Sequence, residues 1–209
     1  CFDITNISDA DYIVLKNAVS DERRIKAERF HFIDDAKRSI IAELILRYSL
    51  YQAGLHMTEL NIGYNKFGKP YLKDADRFCY NLSHSGKWVV IAYGSNEVGI
   101  DVEKVGTGNE NIADRFFTGQ ERQFIIRGSG KERAERFTQI WTLKESFIKY
   151  LGTGLSTDLR SFTVDLMYGT VKDQNGEVYG NLRLKCFPFD KEYFISVCST
   201  EEDVDFNVI

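Results

Sequence analysis

Three carboxylates and a lysine stand in two short segments whose spacing could build a site for chemistry on a phosphate ester. The first segment is Gly99-Ile100-Asp101-Val102-Glu103-Lys104, and the second, about 40 residues on, runs from Trp141 to Lys149 as Trp-Thr-Leu-Lys-Glu-Ser-Phe-Ile-Lys. Val98, Ile100 and Val102 alternate with Gly99, Asp101 and Glu103, the period of a half-buried strand, so Asp101 and Glu103 share a face. Gly99 is expected to leave open backbone beside them. Glu145 and Lys149 are one helical turn apart and share a helix face. A third carboxylate brought to the first two makes an oxygen site for a hard divalent cation, and the lysine can neutralise a phosphate oxygen. The bland alternatives are the solvated face of an edge strand and an ordinary helix ion pair worth about 0.2–0.5 kcal/mol.

Other polar groups have the types a phosphate requires. Asn81-Leu82-Ser83-His84-Ser85-Gly86 lies between two strand-like runs and offers hydroxyls, an imidazole and turn amides. It is equally a polar turn whose hydroxyls cap their own backbone. Gly68-Lys69-Pro70 reads as a turn carrying a lysine. Arg23 and Lys26 share one helix face, and Arg38 and Ser39 lie on the next helix; each pair alone is compatible with simple solvation.

The elements that must hold these groups follow from caps and periodicity. Ser20-Asp21-Glu22 opens a helix to about Phe30, with a capping hydroxyl and acids at the positive end of the dipole. Asp34-Asp35 opens a second helix through Ile40, Ile41, Leu44, Ile45 and Tyr48, stopping near Gly54. Strands are expected at 59–64, 78–83, 88–94 and 97–103. A helix from about Ala134 to Tyr150 then precedes strands near 161–166, 170–173, 178–186 and 193–199. A shift of about 102 residues lays Leu44–Tyr48 over Ser146–Tyr150, so both halves read as a helix followed by antiparallel strands. The expected fold is therefore α+β with two similar lobes, 1–104 and 105–209. Gly106-Thr107-Gly108 falls at the boundary and the site in the cleft between the lobes.

Composition narrows the function. With 27 Lys and Arg against 31 Asp and Glu, the net charge of −4 argues against a general nucleic-acid binder. The longest apolar run, Trp88–Tyr93, is far too short to span a bilayer. No basic leader followed by an apolar stretch is visible at Cys1–Thr5, where an initiator Met is also lacking. Cys1, Cys79, Cys186 and Cys198 show no metal-binding spacing, and His31, His56 and His84 are scattered. Reduced, mostly buried thiols and a cytoplasmic location are expected.

In order and spacing, these blocks resemble one family. Gly68-Lys69-Pro70, Asn81–Gly86, Gly99–Glu103, Arg115-Phe116-Phe117 with Glu121, and Trp141–Ser146 with Lys149 and Gly152-Thr153-Gly154-Leu155 look like the signatures of the 4′-phosphopantetheinyl transferases. The likeness is to their two-lobed, monomeric, surfactin-synthetase-activating type, and covers roughly residues 20 to 165. It implies that the phosphopantetheine arm of coenzyme A moves to a serine of an apo acyl or peptidyl carrier protein, releasing adenosine 3′,5′-bisphosphate. It matches Asp101, Glu103 and Glu145 to a Mg²⁺ site and Lys149 to the pyrophosphate. Arg23, Lys26, Arg38, Ser39, Gly68, Lys69, Pro70, Ser83 and His84 match positions that hold coenzyme A. Arg23 stands where relatives often have lysine, which keeps charge but alters hydrogen-bond geometry. Glu145 or Glu103 is the expected base and Glu121 a supporting acid, with Phe116 and Phe117 as either carrier anchors or core. A Mg²⁺-dependent hydrolase of nucleotide pyrophosphates and an inactive coenzyme A-binding protein are the alternatives.

Overall fold

The computed structural model describes residues 1–106, 110–200 and 208. In the first half, β1 (Phe2–Asp3), β4 (Cys79–Ser85) and β5 (Trp88–Gly94) form an antiparallel sheet in the order β1-β5-β4. One face of that sheet lies on the long helix α3 (Ile33–Gln52): Val89, Leu82 and Ile91 pack against Ile41, Ala42 and Ile45. Two shorter helices, α1 (Asp9–Asn17) and α2 (Asp21–Glu28), flank it, and a small hairpin of β2 (Ile62–Tyr64) and β3 (Pro70–Leu72) closes one end.

The second half repeats the plan. Strands β6 (Val98–Lys104), β9 (Arg183–Phe189) and β10 (Tyr193–Ser199) form a sheet in the order β6-β10-β9. Helix α6 (Gly130–Leu151) covers it, burying Ile140, Leu143, Phe147 and Ile148. Helices α4 (Glu110–Phe116) and α5 (Gly119–Ile126) and the hairpin of β7 (Phe162–Asp165) with β8 (Thr170–Asp173) complete this core.

The expected α+β architecture is therefore the observed one, with differences in detail. Strand β6 was expected to belong with the first half, but every residue of it, from Val98 to Lys104, is in register with β10. The region of the boundary at Thr107 and Gly108 lies outside the described residues. The strand expected at 178–186 is shifted to Arg183–Phe189, because Gly180 takes a left-handed turn (φ +42°) before it. Pro188 is tolerated there since β9 is an edge strand. Phe117 is fully buried among Phe137 and Trp141, so it is core and not a docking anchor, and Phe116 packs against the same cluster.

Helices α1 and α5 were unexpected, yet each is announced by a capping box. Ser8 accepts from the Asp11 amide while Asp11 reaches back to the Ser8 amide, and Glu121 reaches back 2.8 Å to the Thr118 amide. Glu121 does more than cap. Its other oxygen receives the Lys144 ammonium at 2.7 Å and the Val164 amide at 2.9 Å, and Lys144 also donates to the Phe162 carbonyl at 2.8 Å. Both side chains are essentially inaccessible, at 0% and 1% exposure, so this pair ties α5, α6 and β7 into one body. Burial acts first to hold the Lys144 pKa below its ordinary value, against the pull of Glu121.

The two halves meet where β6 runs beside β4. Ile100, Val102, Trp88, Val90, Tyr193 and Ile195 share one apolar cluster drawn from both sheets. On its other side, β6 touches α6 so closely that Gly99 has no room for a side chain. A Cβ there would be driven into the Ser146 carbonyl oxygen and the Tyr150 amide. The space expected to be open beside Asp101 is thus filled by the backbone of α6.

Two outcomes follow. Gly99→Ala should lower stability by about 1–3 kcal/mol through overpacking, whereas Gly119→Ala, with nothing within 4 Å of its Cβ, should not; melting temperatures of the two variants check this. Glu121→Gln should cost about 3–5 kcal/mol in urea unfolding, because it leaves the Lys144 charge buried without its partner.

Candidate functional site

Strand β4 offers Asn81, Ser83 and Ser85 on one face, and β6 offers the amides of Ile100, Val102 and Lys104 at the same repeat. Asn81 Oδ1 accepts from the Ile100 amide at 2.9 Å, Ser83 Oγ from Val102 at 3.4 Å, and Ser85 Oγ from Lys104 at 3.2 Å. The partners advance together, so the strands run in the same direction, joined by side chains and not by a backbone ladder. The same two hydroxyls donate to the carboxylates: Ser83 to Asp101 Oδ1 at 2.8 Å and Ser85 to Glu103 Oε1 at 2.8 Å. Each serine therefore takes an amide hydrogen from one residue and orients the acid of the residue before it. Asn81–Gly86 is expected as a polar turn between strands; instead β4 runs on through Ser85, so Asn81, Ser83 and Ser85 alternate along a strand that faces β6.

Helix α6 completes the site from the opposite side. Its last turn presents Lys149, whose Nζ lies 2.7 Å from Asp101 Oδ1 and 2.9 Å from Ser83 Oγ. Glu145, one turn earlier, is half-buried beside this pair. Burial, and then the negative charge of Asp101, hold the Glu145 carboxyl above the usual carboxylate range. Burial also raises Glu103, with Asp101 adding to the shift and the Ser85 hydroxyl opposing it. Asp101 is 6% exposed, and its second oxygen, Oδ2, is buried without a hydrogen-bond partner.

The structure thus draws Asp101, Glu103, Glu145, Lys149 and Ser83 to one seam between the halves. Among the described residues, no group of three His, Cys, Asp or Glu side chains is gathered closely enough to hold a metal ion. The donor set nevertheless fits a hard divalent cation. The charge of Asp101 acts on both Glu103 and Glu145, and one buried oxygen of Asp101 has no hydrogen-bond partner. Glu121 does not join them; it is engaged with Lys144 in the core of the second half.

His84 and Arg38 approach from the first half, whereas nothing among the described residues draws Arg23 and Lys26, on α2, to the carboxylates of the site. His84 follows Ser83 on β4, and its imidazole is held below its ordinary pKa first by desolvation, then by the charges of Arg38 and Lys149. Arg38, on α3, donates to the Gly86 carbonyl and to Asp35. Ser39 beside it is buried with an unpartnered hydroxyl. Arg23 lies 3.6 Å from the buried Glu43, which also receives the Ser20 amide at 2.8 Å, and Lys26 is exposed on the same helix. Burial works to raise Glu43, but Ser20 and Arg47 outweigh it and keep its carboxyl below its ordinary value.

Lys69, expected as a turn lysine at a coenzyme A position, is engaged within the protein. Its ammonium is spent on Glu97 at 2.6 Å and on the carbonyls of Val98 and Tyr150, each at 3.2 Å. Gly68 supplies the left-handed turn (φ +89°) before it, and Pro70 starts β3. No disulfide links the four cysteines, in line with the expected thiols.

Sequence comparison gives this arrangement its relatives. Residues 97–198 match the 4′-phosphopantetheinyl transferase superfamily, and residues 6–96 match the N-terminal region of 4′-phosphopantetheinyl transferase. A 4′-phosphopantetheinyl transferase of Bacillus subtilis is 36% identical over 188 residues, covering 89% of this chain and 84% of the relative. The transferase Sfp of Bacillus subtilis strain 168 is 33% identical over 88% of this chain and 84% of its own. Among solved structures, a holo-(acyl-carrier-protein) synthase from Bacillus anthracis in complex with CoA (3′,5′-ADP) is 18% identical. It covers 49% of this chain and 92% of its own, with a TM-score of 0.38. The chain belongs to the 4′-phosphopantetheinyl transferase superfamily.

Proposed function

We propose that this chain transfers the 4′-phosphopantetheine arm of coenzyme A to a serine of an apo acyl or peptidyl carrier protein, as the names of its relatives indicate. The observation that carries the reading is the Lys149 ammonium 2.7 Å from Asp101, with Glu103 and Glu145 raised beside it. In the reaction the carrier serine oxygen bonds to the pantetheine-side phosphorus of the pyrophosphate. The phosphorus–oxygen bond to the nucleotide breaks, and adenosine 3′,5′-bisphosphate leaves with that electron pair.

Each residue has a task that its surroundings support. Asp101, Glu103 and Glu145 are the residues that would hold Mg²⁺, which when bound supplies charge neutralisation to the pyrophosphate. Lys149 stabilises the negative charge that grows on the leaving phosphate. Glu145 or Glu103 takes the proton that the serine hydroxyl loses as its oxygen bonds to phosphorus. Ser83 keeps Lys149 and Asp101 in register. Arg23, Lys26, Arg38, Ser39 and His84 hold the nucleotide end of coenzyme A, with the Gly68-Lys69-Pro70 turn contributing its backbone. In this reading, with lobes 1–104 and 105–209, the substrate binds where β4 and β6 face helix α6 of the second lobe. The chain acts as a monomer in the cytoplasm and without nucleic acid. No helix among the described residues is long and apolar enough to cross a membrane.

Intact-mass measurement of apo carrier proteins incubated with coenzyme A and Mg²⁺ tests the reading: each carrier should gain one phosphopantetheine. Asp101→Ala should remain folded and lose transfer by at least ~100-fold, since it removes the group on which Lys149 and two carboxylates converge. A folded Asp101→Ala enzyme with wild-type turnover contradicts the assignment. Release of bisphosphate at a rate indifferent to the carrier would point instead to a pyrophosphate hydrolase.

A further inference from the structure

The last turn of α6 carries Lys149, and its end is held by groups from the other half of the chain. A helix terminus leaves carbonyls without intrahelical partners. Here Asn65, in the turn between β2 and β3, donates from Nδ2 to the Gly152 carbonyl at 2.8 Å. Lys69, four residues on, places its ammonium on the Tyr150 carbonyl at 3.2 Å. A cation there also faces the negative end of the helix dipole. The same ammonium reaches the Val98 carbonyl at 3.2 Å, the first residue of β6, and Glu97 balances its charge at 2.6 Å.

Asn65 is itself fixed. Its Oδ1 accepts the amides of Phe67 and Lys69, both at 2.9 Å, which folds the turn and aims Lys69. Gly152 ends α6 in the left-handed region (φ +65°), and a Cβ on it would lie 2.9 Å from both Asn65 Nδ2 and Lys69 Cδ. The fit is therefore tight on both sides. One small turn grips the end of the helix that carries Lys149 and the start of the strand that carries Asp101.

We propose that Asn65 is a positioning residue for the transfer. By holding the end of α6, and through Lys69 the start of β6, it sets the axial position at which Lys149 meets Asp101. It touches no reacting atom. The proposal rests on the reading that Lys149 serves phosphopantetheinyl transfer, and it gives Lys69 a structural task at the end of α6.

Asn65→Asp separates the two halves of the residue's work. The acceptor oxygen for Phe67 and Lys69 remains, while the amide donor to Gly152 is lost. With coenzyme A, Mg²⁺ and an apo carrier protein, Asn65→Asp should lower kcat at least ~tenfold, because small displacements of a charge-stabilising group are costly. Its KM for coenzyme A should stay within about twofold of wild type. Hydrogen exchange of the amides in the last turn of α6 should quicken in the same variant. Asn65→Ala, which also releases the turn, should show the kcat loss together with a lower melting temperature, and serves if the aspartate variant does not fold. Wild-type kcat in a folded Asn65→Asp protein overturns the proposal. So does a raised KM at unchanged kcat, which would make Asn65 a coenzyme A contact. A wild-type protein that loads no carrier overturns the underlying reading, and the proposal with it.

Discussion

The ion pair between Lys149 and Asp101, with the Ser83 hydroxyl between them, joins three elements from two halves of the chain. For the ammonium to reach the carboxylate, α6 must lie almost on β6, and this is possible because Gly99 has no side chain. For Ser83 to reach both, β4 must run beside β6, and it does so through side chains that take the place of a backbone ladder. A strand edge with free amides is a liability in water. Here Asn81, Ser83 and Ser85 satisfy those amides and hold the acids in the same act.

Two ion pairs of α6 show opposite uses of similar groups. Lys144 and Glu121 are sealed in the second core, and the Glu121 oxygens have partners in Lys144, Val164 and Thr118. Such a pair fixes geometry and has no capacity left for a ligand. Lys149, five residues further along the helix, and its partner Asp101 on β6 are incompletely satisfied. Lys149 keeps 26% exposure, Asp101 Oδ2 has no partner, and the charge of Asp101 acts against both Glu103 and Glu145.

Much of this was legible in the sequence because it depends on periodicity. The alternation from Val98 to Glu103 fixed which side chains face the core, and the one-turn spacing of Glu145 and Lys149 placed them together on α6. What escaped depends on contacts between distant residues. The partners of Ser83 lie 18, 19 and 66 residues away, and the Gly152 carbonyl that takes the Asn65 amide lies 87 away. Nothing local announces them. Lys69 reads as a solvated turn lysine until the end of α6 is seen above it. Glu121 is an instructive case, since the Thr118-to-Glu121 capping box was visible and identifies a helix start, whereas family likeness alone suggested a supporting acid. The pairing of β6 with β10 escaped for the same reason: strand periodicity is indifferent to the partner.

The central claim is that the seam between the halves, where Lys149 meets Asp101, is where the pyrophosphate of coenzyme A is held. A crystal structure of the protein with coenzyme A and Mg²⁺ measures it most directly. The account predicts the pyrophosphate against Lys149, with one ion among oxygens of Asp101, Glu103 and Glu145, and the nucleotide lying toward Arg38 and His84. Coenzyme A bound with its pyrophosphate away from Lys149, or an ion that none of the three carboxylates approaches, would contradict it.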